Sequence, residues 1–510
     1  MQAAAKAAGA TPQVSPSPLR VLVVASEAVP YSKTGGLADV AAALPRAIAA
    51  LGHDVTLVLP RHRGTQVPEV PLDRFSVEMG GHHYEALAYE GIGTSGLHVV
   101  LIDHPAFFDR DGVYGSGNHD YEDNPKRFAF LSLAALEFAR RQGTPVDVVH
   151  AHDWPGGLVP VYLRTRYDDD PVLGKAATVF TIHNAAYQGL FSSDWLPQLG
   201  LGWQLFTTEG LEYWLQISLL KSGIAFSDVV TTVSRRYAQE LQAPETAFGF
   251  DGVIRSRRDD LLGIQNGIDV EVWNPATDPY LPAPYDASHL EGKVAARRRL
   301  LETFGLPEDS SSHRPIIAMV SRMVDQKGLD LIAAVADELP ALGATFVIMG
   351  EGEPWYEEMW RSLARRYPES IAVRVGFDEA LSHLIEAGAD LFMMPSHREP
   401  CGLNQMYSLR YGTVPVVRAT GGLADTVDDA DRTPNGGNGF VFDDATGAAL
   451  LATLRRALTV FRDNPARWRT LQQAGMSRDF SWLVSARAYI EVYEQALSKA
   501  SRRHAVSLAH

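Results

Sequence analysis

The chain has 510 residues, 46% of them hydrophobic, and a formal net charge of −15. Such a length predicts two to four domains at roughly 150 residues each, and the acidic balance excludes a general affinity for nucleic acid or anionic membrane. A single cysteine, Cys401, excludes an internal disulfide and fits a reducing, cytoplasmic compartment, and no apolar run approaches the ~20 residues that span a bilayer.

Residues 1–18 are rich in Ala, Pro and Ser, lack an apolar core and read as a disordered tail. Leu19–Ser26 is an apolar, β-branched run that reads as a buried parallel strand. Leu37–Leu51 has helical periodicity, and Val55–Leu59 resumes a strand, which makes a βαβ start. Residues 61–95 alternate poorly and predict an insertion or hairpin. Val99–Ile102, Val146–His150, Ala177–Ile182, Val229–Val233 and Leu261–Gln265 complete the strands of the first half.

Asn274–Pro284 holds four prolines and marks a boundary. The pattern then restarts with a strand at Ile316–Val320, a basic loop and a helix at Leu329–Leu339. Further strands are predicted at Phe346–Met349, Ile371–Val375, Leu391–Met394 and Val414–Val417. Helices follow at Gly447–Phe461, Trp468–Met476 and Trp482–Lys499. The alternation predicts an α/β protein with two doubly wound parallel-sheet domains facing each other across a cleft.

One hexapeptide occurs twice. Thr34–Asp39 and Thr420–Asp425 both read Thr-Gly-Gly-Leu-Ala-Asp, each after a strand. Gly35 and Gly36 let backbone approach a ligand closely, the helix start offers free N–H groups, and Lys33 adds a positive charge. The spacing is not that of a P-loop; an ordinary tight turn with an exposed lysine is the alternative. In the second half, Arg322 and Lys327 share a strand-to-helix loop, where both can turn toward one diphosphate. A solvated basic loop is the bland alternative.

Glu399 follows another strand and precedes a helix expected to begin near Gly402. A carboxylate there can accept sugar hydroxyls, balance developing positive charge or simply satisfy a helix start. Cys401 reads as a small buried hydrophobe. His150, His152 and His183 cluster at strand ends, but no Cys or HExxH-type spacing supports a metal. Asp153 beside Trp154 suits a carbohydrate better, with rings on apolar sugar faces and carboxylates or amides on hydroxyls. Asn266 ends the last strand of the half and adds an amide.

Taken in order, Lys33–Val40, His150–Trp154, Phe180–Gly189, Asn266–Asp269, Ser321-Arg322 with Gln326–Gly328, Glu399–Leu403 and Tyr411–Thr426 make the chain resemble the bacterial glycogen synthase and plant starch synthase family. These are retaining glucosyltransferases that use a nucleotide diphosphate sugar. The resemblance implies a GT-B fold of two Rossmann-like domains with no metal or other cofactor. It places an acceptor-side domain at 19–270, a linker at 271–285, a nucleotide-sugar domain at 286–477, and a helix within 478–500 that crosses back to the first domain.

By the same resemblance, Lys33, Arg322 and Lys327 hold the nucleotide diphosphate, and His183 and Asn266 hold the donor glucose. Glu399 stands beside that sugar, with N–H donors from the Cys401, Gly402 and Leu403 backbone. Glu27, Asp39, Asp153 and Trp154 lie near the sugar or the incoming glucan end, and Gly421 and Gly422 lie by the phosphates. One stretch departs from the family. This chain reads Ser396-His397-Arg398-Glu399 where members commonly read Ser-Arg-Phe-Glu.

The implied reaction moves glucose from ADP-glucose to the non-reducing end of an α-1,4-glucan such as glycogen. ADP is expected because bacterial and plant members mostly use it, with UDP-glucose as the alternative. Phe377 is expected in the core, with stacking on an adenine as its other reading. Front-face attack is preferred over a covalent intermediate, since no second acid stands out. The rival functions are a glycosyltransferase with a small acceptor and a non-catalytic glucan-binding homologue.

Overall fold

The computed structural model describes residues 17–117, 119–308, 314–433 and 436–507, so most of the predicted tail lies outside the described residues. Two large sheets organise the chain. The first runs, in spatial order, Leu261–Gly263, Val229–Thr232, Ala177–Ile182, Val148–His152, Arg20–Val24, Asp54–Pro60, Leu97–Asp103, His82–Glu90 and Asp73–Met79. Its first seven strands are parallel. The last two form the hairpin foreseen within residues 61–95, antiparallel to each other, and its His82–Glu90 strand pairs antiparallel with Leu97–Asp103. The second sheet runs Ile371–Val375, Thr345–Gly350, Ile316–Val320, Leu391–Met394, Val414–Arg418 and Phe440–Phe442, and is parallel throughout.

The parallel strands read as near-continuous apolar runs because helices cover both of their faces. All five residues of Ile316–Val320 are buried. The helix Gly36–Ala50 buries Leu37, Val40, Ala41, Leu44 and Ile48, one stripe at helical spacing, and ends before Gly52, which takes a left-handed φ of 95°.

In each sheet one strand neighbours both an earlier and a later crossover. Arg20–Val24 lies between Asp54–Pro60 and Val148–His152. Ile316–Val320 lies between Thr345–Gly350 and Leu391–Met394. These are topological switch points, where loops at the carboxyl ends of strands diverge and leave room for a ligand. Lys33 and Glu399 stand on loops leaving these strands, and Asp153 and Lys327 on the short helical turns that follow them.

The helix Trp482–Ser507 lies on the first sheet. It buries Trp482, Ala486, Tyr489, Tyr493 and Ala496 against Val21, Val23, Val148 and Val179. The Tyr493 hydroxyl is 2.9 Å from Nδ1 of buried His150.

Three elements differ from the sequence-based expectation. The helix expected over Leu329–Leu339 ends at Ala333 and gives way to turns and then to a 3-10 helix at Leu339–Leu342. Phe377, expected in the core, is 71% exposed, because the strand Ile371–Val375 ends at the sheet edge and releases it. The helix expected to begin near Gly402 starts at Asn404, since Gly402 adopts a left-handed φ of 70°.

The proline-rich stretch forms no regular element but is fastened firmly. Trp273 lies sandwiched between His383 and Tyr407, with ring centroids 3.8 and 3.7 Å away. Asp278 accepts hydrogen bonds from His383 at 2.7 Å and from the Tyr411 hydroxyl at 2.5 Å.

Candidate active site

On the first half, Glu27 is buried and braces the glycine loop. Its carboxylate accepts the Thr34 N–H at 2.5 Å and the Thr34 hydroxyl at 2.9 Å, and lies 3.4 Å from the Tyr114 hydroxyl. Burial pushes its pKa up, against these hydrogen bonds. Lys33 and Asp39 form an exposed ion pair at 2.7 Å. Among the described residues, no atom beyond the chain neighbours lies within 4 Å of where a Cβ would stand on Gly35 or Gly36. The described residues leave room for a side chain at either position.

Asp153 ends the strand Val148–His152 in a left-handed conformation, φ 49°, and accepts the His183 backbone N–H at 2.7 Å. Desolvation pushes its carboxyl up to about 7. The His183 ring nitrogen Nε2 lies 3.0 Å from His152 Nδ1. Desolvation holds His183 down at about 3, so the pair is neutral at physiological pH. Trp154 packs with Phe128, Tyr114 and Phe191 at 4.9, 5.7 and 5.9 Å. It is a half-buried wall rather than a free platform.

On the second half, Lys327 Nζ lies 2.6 Å from Glu399 Oε2, and the Ser396 hydroxyl donates to the same oxygen at 3.0 Å. Arg322 is exposed and makes no ion pair among the described residues. Cys401 is buried, its thiol pushed up to about 12 by burial, so it is inert as a nucleophile. Gln265 donates to its sulfur at 3.0 Å. Neighbouring Asn266 is buried, and its Oδ1 has no partner among the described residues. A buried amide oxygen without a donor is costly unless something else supplies one.

Gly421 and Gly422 behave unlike their twins in the first loop. A Cβ on Gly421 would stand 2.0 Å from the Glu399 carbonyl oxygen, and one on Gly422 would stand 1.9 Å from that of Cys401. The Gly422 N–H donates to the Glu399 carbonyl at 3.0 Å. The Gly421 N–H, expected by the phosphates, is already taken by the Glu240 carboxylate at 3.0 Å. The second hexapeptide is a wedge behind Glu399.

The departing residues are accommodated. His397 Nε2 lies 2.8 Å from Asp330, and the Arg398 guanidinium sits 4.6 Å over the Phe248 ring of the first half. Cys401, Met406 and Leu409 share a hydrophobic core with Leu261 and Ile268, so the Glu399 loop is packed into the first half.

The structure therefore joins Lys327 to Glu399, Glu399 to the Gly421-Gly422 wedge, Cys401 to Gln265, Asp153 to His183, and Glu27 to the glycine loop. It makes no hydrogen bond or ion pair from Lys33 or Arg322 to the Lys327–Glu399 pair among the described residues. Sequence reasoning missed Tyr114, Glu240 and Ser234, whose hydroxyl donates to the Pro400 carbonyl at 2.6 Å. Ser234 carries the signal of an N-cap directly after a strand; the other two carry none. Among the described residues, no group of three His, Cys, Asp or Glu side chains has metal-binding geometry, and no helix is long and apolar enough to cross a membrane.

Comparison with known proteins agrees with this arrangement. Residues 20–256 match the family described as starch synthase catalytic domain, and residues 307–469 match glycosyl transferases group 1. A glycogen synthase of Koribacter versatilis is 47% identical over 480 residues, covering 94% of this chain and 98% of that protein. One from an Anaeromyxobacter strain is 49% identical over 480 residues, covering 93% and 99%. The catalytic domain of starch synthase IV from Arabidopsis thaliana, solved with ADP and acarbose, superposes with a TM-score of 0.85 at 35% identity, covering 94% of this chain and all of that one. A sucrose-phosphate synthase from Thermosynechococcus elongatus, at 17% identity and a TM-score of 0.57 over 94% and 99% of the two chains, shares the fold. With a Rossmann-like parallel sheet in each half and relatives of this identity along nearly the whole length, the chain belongs to the glycogen and starch synthase family of GT-B glycosyltransferases.

Proposed function

We propose that the protein transfers glucose from ADP-glucose to the non-reducing end of an α-1,4-glucan, with retention of configuration and release of ADP. The observation that carries this reading is the Glu399 carboxylate, buried and held by Lys327 and Ser396 at a switch point of the second sheet. The ADP bound to the Arabidopsis relative supports the choice of nucleotide. Exposed Phe377, at the carboxyl end of its strand, is free to stack on the adenine. Residues 19–270 form the acceptor side and 286–477 the donor side, joined by 271–285 and closed by the helix within 478–500. The single buried cysteine fits a reducing, cytoplasmic setting.

In this scheme Lys33, Arg322 and Lys327 bind the diphosphate. As the bond to the anomeric carbon breaks, the leaving phosphate gains negative charge. Arg322 and Lys327 stabilise it more in the transition state than in the ground state. Glu399 balances the positive charge that builds on the sugar. His183, neutral at working pH, binds a sugar hydroxyl rather than transferring a proton, and the free Oδ1 of Asn266 accepts another. The acceptor hydroxyl attacks from the face the phosphate leaves, and the phosphate takes its proton.

The test is transfer of labelled glucose to glycogen from ADP-glucose and UDP-glucose side by side. The reading expects a far higher kcat/KM with ADP-glucose. A preference for UDP-glucose refutes the donor, and transfer only to small sugars refutes the acceptor.

A further inference from the structure

One short helix of the first half, Arg235–Glu240, touches the loops that carry both sides of the site. On its own side, the Tyr237 hydroxyl accepts the Ala185 N–H at 3.1 Å, in the loop that begins with His183. Toward the other half it makes three contacts. The Ser234 hydroxyl caps the helix by accepting the Tyr237 N–H at 3.1 Å and donates to the Pro400 carbonyl at 2.6 Å. The Arg236 N–H donates to Asp425 Oδ2 at 2.9 Å.

Glu240 makes the third contact. Its side chain is 11% exposed. One carboxylate oxygen accepts the Gly421 N–H at 3.0 Å, and both lie 3.3 Å from the Thr420 hydroxyl. From there the chain of contacts is backbone only. Gly422 N–H donates to the Glu399 carbonyl, and neither glycine leaves room for even a methyl group between the two loops. A displacement at Gly421 must therefore move Glu399.

We infer that Glu240, with Ser234, is a positioning residue: it reaches across from the first half and sets the Glu399 loop through the Gly421-Gly422 wedge. This one helix contacts both the His183 loop and the Glu399 loop. The same hexapeptide is held by a glutamate in both halves, but Glu27 is local and Glu240 comes from the other half. This inference rests on the glucosyl-transfer reading. A carboxylate is suited to the task because it accepts from two donors at once, and a misplacement of about 1 Å in such a system lowers rate by as much as ~10²-fold without weakening binding.

The test compares wild type, Glu240→Ala, Glu240→Gln and Ser234→Ala in steady-state transfer from ADP-glucose to glycogen, with thermal midpoints measured alongside. Glu240→Ala is expected to lower kcat by about 10–100-fold while KM for both substrates stays within about threefold. Glu240→Gln, which keeps one acceptor oxygen, recovers most of the loss. Ser234→Ala, which removes the Pro400 bond and the helix cap but leaves the Glu240 contacts, shows a smaller kcat loss and serves if Glu240→Ala does not fold. Native kcat in all three variants, or a loss seen only in KM, overturns the inference. An inactive wild type would instead overturn the glucosyl-transfer reading.

Discussion

Lys327 Nζ sits 2.6 Å from Glu399 Oε2, with the lysine side chain 19% and the glutamate 8% exposed. A pair this secluded is strong only while both partners remain. Lys327→Ala strands a buried carboxylate and is expected to destabilise by about 3 kcal/mol. Activity is expected to fall about 10²–10³-fold, the usual loss for one preorganised donor. The double variant Lys327→Ala with Glu399→Ala should be more stable than Lys327→Ala alone, since it removes the stranded charge. Urea unfolding of the three proteins checks this; a double variant weaker than either single would refute it.

The twin hexapeptides need their glycines for different reasons. Gly422→Ala puts a methyl 1.9 Å from the Cys401 carbonyl oxygen, a backbone clash that no side-chain rotation relieves. It is expected to destabilise by about 2–4 kcal/mol and to lower kcat by moving Glu399. Among the described residues, Gly36→Ala meets no atom beyond the chain neighbours within 4 Å. Its stability should stay within ~0.5 kcal/mol of wild type, while on the proposed reading, with the pyrophosphate against this loop, KM for ADP-glucose rises roughly tenfold. Unfolding midpoints and donor KM values separate the two cases.

This contrast shows what sequence can report. Ile316–Val320, Ala177–Ile182 and Leu391–Met394 appear in the structure with the predicted bounds, because a strand buried on both faces writes its burial into consecutive residues. Lys327 and Glu399, 72 residues apart, could be suspected because each follows such a strand. The role of Gly421-Gly422 was not legible, since an identical hexapeptide is open in one half and wedged in the other. Glu240 was not legible either: an acid at a helix end looks the same whether it faces water or another loop. Phe377 misled because aromatic residues near a strand are usually core, and nothing local records that the sheet ends there.

Phe377 gives a direct test of the donor side. It is 71% exposed, so Phe377→Ala removes little packing, and stability should change by less than ~0.5 kcal/mol. Loss of an aromatic stack of about 1 kcal/mol corresponds to a roughly fivefold rise in KM for ADP-glucose. Phe377→Tyr keeps the stack and should behave as wild type. An unchanged KM in the alanine variant would remove Phe377 from the nucleotide site.

His150 offers a pH test of the first half. It is fully buried between the Tyr493 hydroxyl at 2.9 Å and the Thr181 hydroxyl at 2.6 Å, and burial holds it down at about 3. The unfolded chain takes up a proton near pH 6.5, the folded chain only near 3. Stability from His150 is therefore fully present above about pH 6.5 and is lost as pH falls toward 3. At pH 5 that loss is about 2 kcal/mol. Asp153 and Glu386, raised to about 7 and about 8, act in the opposite sense, so the wild-type curve alone does not isolate His150. A difference does. His150→Asn cannot titrate and loses part of the hydrogen bonding, so it should be the less stable protein at pH 8. The wild-type advantage, measured by urea unfolding, should then shrink by about 2 kcal/mol between pH 8 and pH 5. An advantage that stays constant would mean that His150 takes up its proton near pH 6.5 in the folded protein as it does in the unfolded chain.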